Sequence, residues 1–234
     1  MRSGPYYHNM VGILTEAASV KIATPIEIPF EKLTSSTRGL PDDVIILPDT
    51  TLKSLKEGLK PGSYPAEYTG GLGEAGLANL KAFVEAGGTL VTLDSAGEFA
   101  TDYLGVAATN VLKGVSNQEF YCPGSILEVD VDTAHPVAYG LSPQTAAYFV
   151  HSPAYTVGEG LRVIGSYPQG KDPLLSGWLM GPQFIQGKAA LVEAPYGKGR
   201  VILVGFRTQH RGQPHGTYKV LFNSIFYGAA EPVD

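Results

Sequence analysis

Two short polar stretches carry the residue types from which a reactive or binding site could be built. The first is Asp94-Ser95-Ala96-Gly97, a carboxylate and a hydroxyl followed by two small residues. Its pattern is similar to the G-x-S-x-G turn that presents a nucleophile, except that Leu93 stands where the first glycine would let the turn fold tightly. Ser95 paired with a histidine would make a hydrolytic nucleophile and base, and Asp94 would serve as a general base or a ligand contact. The plainer reading is that Asp94 or Ser95 caps a following helix by accepting a hydrogen bond from its free N–H groups.

The second stretch is Arg207 to Thr217, RTQHRGQPHGT, with His210, Arg211 and His215 between a strand-like run and the final helix-like run. At a helix N-terminus these side chains would meet an anion or a carboxylate. Two histidines five residues apart could also share a metal, although no acidic partner lies close in sequence; structural hydrogen bonding with the elbow is the remaining possibility. His151, in HSPAY, follows another predicted strand and is expected to face the same cleft. Cys122, between Tyr121 and Pro123, has no base beside it in sequence and reads as an inert packed thiol. Trp178, in SGWLMG, offers a face for a sugar ring, or else belongs to an apolar helix packed on the sheet.

The elements that must position these residues are legible from periodicity. Leu77, Leu80, Phe83 and Val84 recur at helical spacing, Gly87-Gly88 stops the helix, and Thr89 to Leu93 is a short run suited to a buried parallel strand. The turn at the carboxyl end of such a strand is where open α/β sheets place ligands. Asp43 to Pro48 predicts a central strand, and Lys60 to Gly73 a long loop in which Tyr64 and Tyr68 could mediate assembly. Ile126–Val131, Ala147–Val150, Leu161–Tyr167 and Lys188–Glu193 predict further strands. Lys188–Ala194 and Arg200–Gly205 predict a hairpin across Pro195-Tyr196-Gly197-Lys198-Gly199, and His215 to Tyr227 an amphipathic helix carrying Tyr218, Val220, Leu221, Ile225 and Phe226. Upstream, residues 9 to 18 predict a short helix and 20 to 28 a strand, before a polar connection at Glu31 to Pro41 that marks a domain boundary.

The 234-residue length suits one large domain or one domain with an appendage. The 17% charged content, with a formal net charge of −5, describes an ordinary globular chain, and scattered Lys and Arg make nucleic acid an unexpected partner. One cysteine allows neither an intrachain disulfide nor a thiolate zinc cluster. The N-terminal apolar stretch, preceded by Tyr, His and Asn and interrupted by Glu16, fits neither a signal peptide nor a membrane span.

Residues 42 to 228 resemble the class I glutamine amidotransferase-like fold in a degenerate form. The likeness lies in VIILPD at Val44 to Asp49, the helix-GG-strand unit ending TLVTLD, the HP-x-x-x-GL segment at His135 to Leu141, and GKGRVILVGF at Gly197 to Phe206. The resemblance implies an α/β three-layer sandwich with a mainly parallel, flavodoxin-like central sheet over residues 42–234. Active members carry a cysteine at the elbow and a His-x-Glu pair; here Asp94 or Ser95 takes the elbow, and no histidine is followed two residues later by Glu. The resemblance therefore carries the fold but not amide hydrolysis. The expected cleft is formed by Asp94, Ser95, His151, His210, Arg211 and His215.

Residues 2 to 41 are similar to the end of the catalytic domain of bacterial zinc carboxypeptidases of the carboxypeptidase A-like family, some of which carry an amidotransferase-like domain after the peptidase. That resemblance places Glu16, in GILTEAAS, at the family's general base. It implies zinc for a full-length member, and a secreted or periplasmic location. The family's zinc site needs a His-x-x-Glu pair and a later His, and no histidine here has Glu at +3. The chain is thus expected to be a truncated or internally deleted relative, a noncatalytic accessory domain whose partner is a peptidase domain or a small polar ligand. The alternatives are a fragment of an active zinc metallocarboxypeptidase whose metal-binding part lies upstream, and a hydrolase using Ser95 with a cleft histidine.

Overall fold

A computed structural model describes residues 44–62, 64–211, 214–228 and 230. The predicted helix at 9–18, the strand at 20–28 and Glu16 lie outside them, as does the proposed boundary at residues 41 and 42.

The described residues open with β1 (Val44–Leu47), a short helix α1 (Leu52–Glu57) capped by Thr51, and α2 (Gly73–Ala86) leading into β2 (Thr89–Leu93). Helix α2 ends where its spacing breaks: Gly87 takes φ 129°, a conformation side chains resist, and returns its N–H to Phe83 and Val84. All five residues of β2 are buried. There follow β3 (Ala108–Asn110), β4 (Ser125–Val131), β5 (Gln144–Phe149), β6 (Tyr155–Val157), β7 (Arg162–Ser166), β8 (Leu174–Ser176), β9 (Ala189–Tyr196), β10 (Gly199–Val204) and the closing helix α3 (Tyr218–Gly228).

These strands form one sheet in the order β1-β2-β10-β9-β7-β4-β5, with β3 and β6 branching from β9 and β8 from β4. Only β1–β2 and β2–β10 pair in parallel; every other named pair is antiparallel. The sheet is therefore mixed, not mainly parallel as the family resemblance implied. Hairpin connections account for part of this: β9 turns straight into β10 with Gly197 at φ 61°, which forces antiparallel pairing. The parallel portion is confined to three strands, and the site is built there.

Alternation along β2 and β10 divides the core in two. Leu90, Val201 and Leu203 pack with Leu77 and Val84 of α2, while Val91, Leu93, Ile202 and Val204 pack on the opposite face with Val137, Ala138 and Val220. Three local expectations differ from what is found. Among the described strands Val44–Leu47 is outermost, and it is mostly half-buried, because a continuous apolar run does not encode which neighbours a strand will have. Trp178 lies in a loop at 66% exposure rather than on a helix: Gly177 turns the backbone at φ 108°, and Ser125 Oγ holds Trp178 by accepting its N–H at 2.8 Å and donating to its C=O at 2.7 Å. Phe226 is 74% exposed, and α3 instead buries Val220 and Ser224.

Candidate functional site

β1, β2 and β10 run parallel, so their carboxyl ends emerge together, and each hands a charged residue to that edge shortly after it ends: Asp49, Asp94 and Arg207. Asp94 begins the helical segment that follows β2 and sits at φ 54°, a left-handed conformation uncommon outside glycine and tolerated by aspartate. Arg207 bridges its two neighbours, donating from Nε to Asp94 Oδ2 at 3.2 Å and from Nη2 to Asp49 Oδ2 at 2.6 Å. Asp49 Oδ1 accepts the Ser95 N–H at 3.3 Å, and Ser152 Oγ donates to Asp94 Oδ2 at 3.1 Å.

Asp94 is almost completely buried, at 1% exposure, and its Oδ1 has no hydrogen-bond partner. Burial, with the Asp49 charge behind it, lifts the carboxyl to a pKa of about 7 against the pull of Arg207 and Ser152. Arg207 is shared, so its charge is divided between two carboxylates.

Beside this elbow lies a cleft of about 430 Å³, whose wall includes Asp94, Ser95, Glu98, Asn110, His151 and Tyr155. Asp102 and Lys113 also line it, and they close on each other at 2.6 Å; the Lys113 bond holds the Asp102 carboxyl below the usual carboxylate range. Glu98 Oε2 accepts the Leu52 N–H at 2.9 Å, fastening the start of α1 to the elbow helix. That helix widens to a π-helical turn at Phe99–Tyr103, a feature frequent near functional sites. The Tyr155 hydroxyl passes so close to Gly97 that a Cβ there would collide with it, which explains the small residue after the elbow. Burial pushes the Tyr155 phenol far up, so it stays protonated.

Of the expected cleft residues, Asp94, Ser95 and His151 are brought together. His151 has a left-handed φ of 52°, and its neighbour Ser152 supplies the hydroxyl on Asp94. His210, Arg211 and His215 do not line this cleft: His210 stacks on Tyr148 at 4.5 Å, the Arg211 carbonyl accepts the Tyr218 hydroxyl at 3.0 Å, and His215 stacks on Tyr218 at 5.7 Å. Neither Asp94 nor Ser95 makes a side-chain capping bond, because the Asp94 carboxylate turns toward Ser152 and Arg207 instead. No hydrogen bond joins Ser95 Oγ to an imidazole among the described residues. Cys122 is buried, and burial pushes its thiol up to about 11.

Sequence reasoning missed Arg207, Asp49, Ser152 and Glu98. The signal for the first two was available: Asp49 follows VIILP and Arg207 follows VILVGF, so each sits just past an apolar run, as Asp94 does. Among the described residues, no group of three or more His, Cys, Asp or Glu is placed to hold a metal ion, so the donor set that zinc requires does not fit them. No helix among them is long and apolar enough to cross a membrane.

The fold and site define an α/β protein with a mixed sheet and a polar elbow at its parallel edge. Among solved structures the chain is similar to a cytoplasmic protein from Salmonella typhimurium, with TM-score 0.52 and 15% identity over 90% of this chain and 78% of that one. It is more distantly similar to a β-galactosidase from Bacillus circulans sp. alkalophilus, with TM-score 0.44 and 15% identity over 79% of this chain and 22% of that one. A provisionally assigned GMP synthase subunit from Thermoplasma acidophilum gives TM-score 0.43 and 9% identity over 66% of this chain and 65% of that one. No family model matches the chain, and no curated protein matches it in sequence.

Proposed function

We propose that residues 42–234 form a noncatalytic binding domain on a class I glutamine amidotransferase-like scaffold, with the cleft at the elbow as its ligand site. The observation that carries this is Asp94 itself. The residue at the elbow is a buried carboxylate anchored by Arg207 and Ser152, where amide hydrolysis on this scaffold would require a thiol. The cleft beside it offers polar groups of both hydrogen-bonding senses, Ser95, Glu98 and Asn110, which suit a small polar ligand.

The likeness of residues 2–41 to a peptidase terminus supports a wider proposal, that this is the accessory domain of a zinc metallocarboxypeptidase-like protein. Glu16 would then stand at the place of that family's general base, and zinc would be the metal that the family's site holds. The protein is tested by incubation with L-glutamine, and separately with zinc and a peptide bearing a free C-terminal residue, while ammonia and amino-acid release are followed. No saturable hydrolysis is expected. Peptide hydrolysis abolished by Glu16→Gln would overturn the noncatalytic assignment and establish an active carboxypeptidase.

A second reading, hydrolysis by Ser95 with a cleft histidine, has one observation in its favour: Ser95 and His151 share the cleft. Ester hydrolysis lost on both Ser95→Ala and His151→Ala would establish it.

A further inference from the structure

The Tyr155 hydroxyl indicates which ligand the cleft accepts, an inference that rests on the binding-site reading above. Tyr155 is 2% exposed, and β6 holds it between Asn110 of β3 and Ala189 of β9. Its hydroxyl ends against Gly97, whose own backbone is ordinary helix at φ −54°, so the missing side chain there answers to the hydroxyl and not to strain. The hydroxyl makes no hydrogen bond among the described residues, yet it is not sealed off. Only Thr92 Oγ1 and Asp94 Oδ1 are both unpartnered and cut off from water there, so the little surface that Tyr155 keeps includes its oxygen, on the cleft wall. Phenylalanine would fill the same core space without carrying an unpaired polar group to that wall.

Burial keeps the phenol protonated, so it presents a donor. On the same wall, Asn110 Oδ1 accepts the N–H groups of Leu112 and Ala154 at 3.0 and 3.4 Å, which leaves its amide NH₂ as a second donor. Glu98, next to Gly97, spends Oε2 on the Leu52 N–H and keeps Oε1 without a hydrogen bond among the described residues, an acceptor beside the two donors. A carbonyl would take the phenol proton and return none to Glu98. An ammonium would serve Glu98 and leave the phenol proton without an acceptor, while an anion would face the carboxylates of Glu98 and Asp102. A hydroxyl accepts and donates at one oxygen, and a ligand with several can meet all three groups at once. A volume of about 430 Å³ lies within the range of small-molecule sites.

We propose that the cleft binds a small neutral polyhydroxy compound of the sugar or polyol class, one hydroxyl accepting from Tyr155 and others reaching Asn110 and Glu98. Backbone amide NMR of the full chain, titrated separately with myo-inositol, glucose, acetamide, ethanolamine and gluconate, tests this. Myo-inositol or glucose should shift the amides of residues 95–98, 109–110 and 155 saturably, with the last three probes about tenfold weaker or more. Tyr155→Phe should weaken the polyol about tenfold and leave the melting temperature equal to or above the parent's, since no internal hydrogen bond is lost. Asn110→Asp keeps an acceptor for the Leu112 and Ala154 N–H groups and removes the donor, so it too should weaken the polyol.

Polyol binding unchanged in Tyr155→Phe overturns the assignment. So does a melting temperature lowered by more than about 4 °C in that variant, which would give the hydroxyl a partner inside the protein. Acetamide, ethanolamine or gluconate binding as tightly as the polyols overturns the hydroxyl class alone, and the cleft remains a ligand site. If none of the five probes, nor a fragment set of mixed charge, perturbs these amides, the binding-site reading falls together with it.

Discussion

Asp94 and Glu193 are both carboxylates set against an arginine inside this protein, and their surroundings treat them in opposite ways. Glu193, on β9, accepts from His135 Nε2 at 2.9 Å on one oxygen and from the Tyr227 hydroxyl at 3.0 Å and Arg200 Nη1 at 3.4 Å on the other. The network is closed: His135 Nδ1 accepts the Val137 N–H at 3.2 Å, and Arg200 lies 4.4 Å over the Tyr227 ring. The bond from His135 leads the forces that hold the Glu193 carboxyl below its ordinary range. At Asp94 one oxygen is satisfied and the other is not, and the carboxyl rises to about 7. A closed network fastens α3 and the Pro136–Ala138 turn to the sheet; an open one, at the carboxyl ends of the parallel strands, is left to act on something else.

The largest expected effect comes from breaking the closed network. His135→Ala removes a fully buried ring, strips Glu193 of its strongest partner and leaves the Val137 N–H without an acceptor. A loss of about 3 kcal/mol is expected in chemical denaturation at pH 7. The same truncation at exposed His151, whose ring meets Tyr121 edge-on at 6.1 Å, should cost less than about 1 kcal/mol. Equal losses at the two histidines would erase the distinction between a structural and an open cluster.

How much of this was legible in the sequence follows from the range over which each feature is determined. The α2-Gly87-Gly88-β2 unit and the β9–β10 hairpin are set by neighbours along the chain, and Leu77, Val84 and the Pro195 to Gly199 turn declare them. Strand order is not set locally, so Val44–Leu47 reads as central yet is outermost among the described strands, and a sheet expected to be mainly parallel is mixed. The elbow was legible because Asp94 follows β2 directly. Its pairing was not: the apolar runs before Asp49 and Arg207 mark each as a strand end, but Ser152 and Arg207 lie 58 and 113 residues downstream of Asp94, and only the fold brings them to its carboxylate. His210 and His215 drew attention by their density, yet each ring is occupied in stacking on a tyrosine.

The pH dependence of stability sharpens the comparison next. Asp94 has a folded pKa raised to about 7 from an ordinary 3.8, so the stability linked to it is fully present below about pH 4 and lost progressively as pH rises to about 7. Asp94→Asn should therefore be more stable than the parent at pH 8, by on the order of 2 kcal/mol, and close to it at pH 4. Glu193 has a lowered folded pKa, so its contribution is present above its ordinary value and lost as pH falls through the folded one. Glu193→Gln should destabilise at pH 8 and lose that deficit in acid. Thermal unfolding of both variants from pH 3 to 9 should give difference curves of opposite sign; curves of the same sign would mean that the two carboxylates are not in opposed environments.

The smallest effect tests how the open cluster is held. Ser152 is buried, and its Oγ both accepts the Val150 N–H at 3.1 Å and donates to Asp94 Oδ2. In Ser152→Ala, Asp94 loses the donor that favours its ionised form, so its pKa should climb above about 7, measurable from the carboxyl carbon shift in NMR. The stability cost should be about 1 kcal/mol below pH 5, where the carboxyl is neutral, and larger at pH 9, where an ionised Asp94 would depend on Arg207 alone. A pKa that falls in this variant would mean that Ser152 orients its hydroxyl to accept from a protonated Asp94 Oδ2, and the elbow would then be held as a neutral acid rather than as a carboxylate.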